Sequence, residues 1–248
     1  MDLDKEMSNL QKAGSGGTPL PSLQKMAKIT AAGLDQAATS VALVLFNDKT
    51  YIQLMGLNGM SQLEQDRILN ELILAGITVI MLTLDAPDLR ISRDFKEYFR
   101  LLKDEIPKAH LAQLKELGIE NKHVKLWKKL IEMRYDEYAQ DRLKARSVVM
   151  EYDSRKKDLT SKDLDDIHLF LPAFTVAVGC HHHICRGKTE GHDLAFKYLM
   201  KKLSRFYTVV RATMEGGRLT PVSRVRIATR HFVNDVKDWW EIRKAGKS

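Results

Sequence analysis

Residues 40–55 read SVALVLFNDKTYIQLM, and what they form decides whether this chain contains a sheet. Two β-rich runs, 40–46 and 50–55, flank Asn47-Asp48-Lys49. Asn and Asp accept left-handed backbone and bond their own backbone, so the reading is a β-hairpin. Outward from it, residues 22–38 carry Leu23, Met26, Ile29, Ala32 and Leu34 at roughly helical spacing and are expected to form a helix. On the other side, Ser61-Gln62-Leu63-Glu64 matches a capping box and opens a helix on Leu63, Ile68, Leu69, Leu72 and Ile73. Gly76 is expected to stop it.

Residues 77–84, ITVIMLTL, suit either a buried strand or a continuation of that helix. Their β-branched content and the preceding glycine favour the strand. The expected fold class is therefore mostly α (α+β). A small N-terminal hairpin and strand unit with helices spans 21–88. A larger helical bundle region spans 89–248, and 1–20 is a Gly/Ser/Pro-rich lead-in with little to bury.

Beyond residue 88 the pattern is helical. Pro107 is expected to end one helix and Gly118 to close the next. Residues 120–153 form a long helix. Pro172 is expected to kink or restart its successor, and Gly216-Gly217 to end a helix over 193–214. Thr220-Pro221 restarts the last helix. The segment 169–185, LFLPAFTVAVGCHHHIC, is the most apolar stretch of the C-terminal half and belongs in the middle of a helical core.

A chain of 248 residues buries a core without metal or disulfide staples. Two cysteines make no disulfide framework, which points to a reducing, cytoplasmic setting. The start, MDLDKEMSNLQK, has no apolar centre and reads as no secretory signal. The longest apolar windows, 73–84 and 169–178, fall short of the roughly 20 residues that span a bilayer, so no membrane partner is expected.

Net charge is +8 but uneven. Residues 1–106 hold 11 Lys/Arg against 14 Asp/Glu, whereas the last 53 hold 13 against 4. Such a concentrated positive field suits phosphates or an acidic protein partner. Lys197, Lys201, Lys202 and Arg205 lie on the 193–214 helix. Arg226, Arg230 and Lys237 fall within about 40° of one another on the last helix, with Lys244, and Glu241 interrupts that stripe. Two helices joined by a glycine-containing turn resemble a helix-turn-helix, in which Arg218, Ser223, Arg224, Arg226 and Arg230 would read base edges. Trp239-Trp240 would offer a stacking platform. A solvated helical surface is the alternative. The same features would suit a nucleocapsid-type protein of a virus or phage.

Cys180, His181, His182, His183 and Cys185 suit zinc or copper by donor type. Helical residues advance about 100° each, so Cys180 and His183 share one face, and His181 and Cys185 roughly the opposite one. A zinc site would need one pair plus ligands from elsewhere, with His168, Glu190, His192 and Asp193 nearest in sequence. The plainer reading is a buried cysteine and hydrogen-bonded histidines, with no cofactor.

The sequence carries no phosphate loop, no G-x-S-x-G and no H-E-x-x-H. The helix–hairpin–helix–strand order superficially resembles nucleotide deaminases. Residues 40–90 contain neither His nor Cys, which that chemistry needs as ligands. The leading expectation is a non-enzymatic nucleic-acid-binding or scaffold protein. The alternative is a metal-binding protein or metal-dependent enzyme using Cys180, His181, His183 and Cys185.

Overall fold

A computed structural model describes residues 21–87, 89, 93–155 and 161–216, and over 146–155 and 161–169 the backbone alone. Among the described residues there are seven α-helices and no strand. The hairpin read for 40–55 is replaced by two helices, and the same Asn47-Asp48 pair explains how. Helix α1, Leu23–Phe46, opens on Ser22, whose Oγ accepts from the Lys25 amide. It closes where Asn47 Nδ2 donates to the Leu43 carbonyl, 2.8 Å away. Asp48 then caps α2, Lys49–Met55, its Oδ1 accepting from the amides of Thr50 and Tyr51. Short polar side chains that bond nearby backbone serve helix ends as readily as hairpin turns. The stripe Ala27, Ala31, Ala38, Ala42 and Leu45 is buried and continues at helical spacing straight through the supposed first strand.

The strand read for 77–84 is also corrected. It is the second half of α3, Gln62–Leu84. Ser61 Oγ does accept from the Glu64 amide, as the capping box requires. The helix does not stop at Gly76, because every residue from 72 to 83 is buried and every side of it is packed. α3 touches α1 and each later helix of the bundle. Thr78 and Thr83 donate to the carbonyls of Leu74 and Val79, both at 2.6 Å, so their hydroxyls are satisfied inside the helix. At Gly76 α1 and α3 approach closely: a Cβ there would lie 3.1 Å from Ala38 Cβ and from the Ala38 carbonyl oxygen.

Four helices complete the bundle: α4, Lys96–Glu116; α5, Asn121–Arg155; α6, Ser161–Ile184; and α7, Asp193–Met214. Pro107 lies inside α4 and Pro172 inside α6, so neither ends or restarts its helix. Each costs one backbone hydrogen bond, which neighbouring helices offset by packing. Gly118 and Gly216 do punctuate the chain where expected, and Gly191 precedes α7, all at positive φ. The main contacts are α1 with α4 and α3, α6 with α7, and α3 with α5, α6 and α7. One core cluster runs from Ala27 to Met214.

By length and composition α1 and α3 are each apolar enough to cross a membrane, which the shorter sequence windows missed. The most apolar window of α3 is 72% buried inside the bundle and that of α1 only 28%.

Candidate functional site

α7 presents its apolar face inward. Ala195, Leu199, Leu203, Phe206, Tyr207, Val210 and Met214 are buried. Lys197, Lys201 and Arg205 follow one another at i, i+4 and i+8, one face of a helix. Lys197 is exposed; Lys201 and Arg205 are half-buried. Lys202 is turned elsewhere. Its ammonium lies 3.4 Å from Asp48 Oδ2 and 4.9 Å from the centre of the Tyr198 ring. Tyr198 OH donates to the same Asp48 oxygen at 2.8 Å. Burial, then the Asp48 carboxylate, push the Tyr198 phenol up to about 12. Asp48 thus caps α2 and anchors α7, and Lys202 is held by that anchor. Arg218, Ser223, Arg224, Arg226, Arg230 and Lys237 lie outside the described residues. Arg211, which the charge stripe did not include, is buried and donates to Tyr207 OH and Glu215 Oε1.

The cysteine–histidine segment ends α6 and divides as the helical advance requires. Cys180 is fully buried, its Sγ 3.6 Å from the Glu71 carbonyl of α3. Burial holds its thiol well above the usual range. His183 turns to α5, its Nε2 2.8 Å from Glu137 Oε1. His181 faces α7, where its ring lies 5.4 Å from that of Phe196. Cys185 Sγ sits 3.8 Å from His181 Nε2. Burial lowers the His181 pKa, His192 and His182 add to that, and Asp193 opposes it. Burial raises the Cys185 thiol against the pull of Arg67. His181 and Cys185 therefore stand together beside α7, whereas Cys180 and His183 turn separately to α3 and α5. Among the described residues no group of three or more His, Cys, Asp or Glu side chains gathers as metal ligands.

Three polar junctions escaped the sequence reading. At the first, Arg134 of α5 donates to both carboxylate oxygens of Glu71, at 2.7 and 3.0 Å, and to Glu137. It links α3 to the His183–Glu137 pair. At the second, Lys103 lies 2.6 Å from Asp85 Oδ2 and 2.7 Å from Tyr135 OH, and Tyr135 OH donates to Asp85. At the third, His110 Nδ1 is 2.9 Å from Asp35 Oδ1, both groups buried. The His110 ring also packs 4.7 Å from Trp127. Asp35 was a legible signal, being the sole charged residue between positions 29 and 47. The others join residues far apart in sequence and left no local trace.

Among the described residues the chain is a helical bundle protein. Comparison with known proteins finds no matching family, no matching curated protein and no matching solved structure.

Proposed function

We propose that this chain is a non-enzymatic nucleic-acid-binding or scaffold protein whose basic C-terminal helices contact phosphates. The observation that carries the reading is the succession of Lys197, Lys201 and Arg205 along the face of α7 opposite its buried stripe. α7 leads at Gly216 into a segment whose sequence adds Arg218, Arg224, Arg226, Arg230 and Lys237. Phosphate contacts of this kind give affinity without sequence preference and fall steeply with salt. The Cys180–Glu71 and His183–Glu137 contacts serve packing on this reading.

Binding of labelled single- and double-stranded DNA and RNA at about 50 and 200 mM salt tests it. The full chain is compared with the Lys197→Ala/Lys201→Ala/Arg205→Ala variant and with Arg226→Ala/Arg230→Ala. Wild type should bind at low salt and lose affinity steeply at high salt. The triple variant should reduce the salt slope by up to about 3, one unit for each lost phosphate contact. Failure to bind at 50 mM salt, or variants with the wild-type slope, would sink the reading.

A further inference from the structure

Among the described residues the outer face of α1 packs against no other helix, and it has no part in the proposed phosphate contacts. Met26, Ile29, Leu43 and Val44 stand exposed on it, Ile29 at 63% and Val44 at 65%. Between them Ala32, Gly33, Gln36 and Ser40 are also exposed. No ionisable side chain interrupts the face between positions 29 and 44: Asp35, the one charged residue of that span, is 2% exposed and turned inward to His110. The surface of a protein with 40 Lys/Arg and 32 Asp/Glu thus includes an uncharged strip about 22 Å long, apolar at both ends. Such a strip repels no partner by charge and attracts neither phosphate nor acidic protein.

In one antiparallel register two pairs of strip positions are reciprocal. Large apolar side chains stand at the strip's two ends, with Ala32, Gly33, Gln36 and Ser40 between them. An antiparallel copy centred between Gln36 and Ala37 sets Ile29 against Val44 twice, Gly33 against Ser40 twice, and Gln36 beside Ala37 at the axis. A two-fold interface demands this reciprocity, with residue i meeting j and j meeting i. Nothing lies within 4 Å of a Cβ built on Gly33, so the backbone there is open to close approach. Two helices crossing at the small residues would splay toward the ends, where the larger side chains fill the gap. A lipid surface would instead want large apolar groups along the whole face, and Gln36 and Ser40 occupy its centre.

We infer that the outer face of α1 is a self-association surface whose occupant is α1 of a second copy, packed antiparallel in that register. The helix is about 36 Å long and 10 Å wide, so α1 alone buries on the order of 350 Å² per copy. That is below the roughly 800 Å² per partner of a stable complex, so association is weak and governed by concentration.

Sedimentation equilibrium of nucleic-acid-free full chain from about 1 to 500 μM tests this, a range chosen for weak complexes. Wild type should move from monomer toward dimer. Ile29→Lys/Val44→Lys puts like charges face to face and should weaken association at least tenfold. Ile29→Lys/Val44→Glu should restore it, with salt now weakening it. Within one chain these positions lie about 22 Å apart along the helix and cannot pair with each other, so the rescue reads contact between copies. Both sites are exposed, and folding is checked by circular dichroism. A wild type monomeric throughout, or a dimer indifferent to Ile29→Lys/Val44→Lys, overturns the proposal. A monomer that floats with phosphatidylcholine vesicles assigns the face to lipid and overturns it equally. Salt-dependent nucleic-acid binding is read separately and is unaffected by any of these outcomes.

Discussion

α1 and α3 are 24 and 23 residues long, both apolar, yet the bundle treats them differently. α3 is enclosed on every side from 72 to 83, whereas α1 buries one stripe and leaves the opposite face to solvent. Composition does not separate them; the placement of polar side chains does. In α3 the polar residues gather in the first turns, before Leu72, and the remainder is threonine bonded back to its own helix. In α1 the polar positions Gln36 and Ser40 recur on one face, and Asp35 on the opposite one meets His110. Apolarity sets how much a helix can bury, and its distribution sets from how many sides.

The largest expected effect tests that difference directly. Ile77 is 0% exposed, and Ile77→Ala should cost about 2–5 kcal/mol through lost burial and the cavity left behind. Val44→Ala removes a branched apolar side chain from α1 and should change stability by less than about 0.5 kcal/mol. Urea denaturation at low micromolar protein measures both. Equal losses at the two positions would show that α1 is covered as thoroughly as α3.

A smaller effect probes the enclosure between α5 and α6. A Cβ on Gly179 would lie 2.2 Å from Cε1 of Tyr138, whose ring is fully buried. Gly179→Ala should therefore cost about 1–3 kcal/mol by overpacking. Combining it with Tyr138→Leu, which removes the ring the methyl would strike, should cost less than the two single changes added together. Strict additivity would mean that the ring already moves aside.

These cases show what could be read from the sequence. Helix starts at Ser22 and Ser61 and the ends at Gly118 and Gly216 were legible, because a cap is a local event between a side chain and nearby backbone. The separation of Cys180 and His183 from His181 and Cys185 was legible, because it follows from the pitch of one helix. The two β-rich runs misled for different reasons. Residues 77–84 belong to a helix buried all round, which has no amphipathic period to show. In residues 40–46 the valines and leucines outweighed Ala38, Ala42 and Leu45, which extend the stripe begun at Ala27. Arg134 on Glu71 was not legible, since 63 residues separate the partners and no pattern at that distance marks a pair.

The smallest expected effect lies where α3 begins and α6 ends, and it too depends on a long-range contact. Arg67 donates to the carbonyls of His183 and Ile184, at 2.8 and 2.6 Å, capping a helix that ends over a hundred residues away. Glu64 holds Arg67 in place and also accepts from Arg186. Its hydrogen bond from Arg67 first, then that from Arg186, outweigh a small burial cost and draw its carboxyl down from 4.5 to about 2. A carboxylate whose folded pKa is depressed stabilises the fold above its unfolded pKa and loses that contribution as pH falls through the folded one. The contribution of Glu64 should be complete above about pH 4.5 and gone near pH 2. Glu64→Gln should then lower Tm by roughly 2–4 °C at neutral pH, the equivalent of about 1 kcal/mol in a chain of this size. The gap from wild type should close between pH 4.5 and 2. A gap that persists unchanged at pH 2 would mean that the side chain acts by shape rather than by charge. The polar tie at this end of α3 and α6 would then rest on the two Arg67–carbonyl bonds.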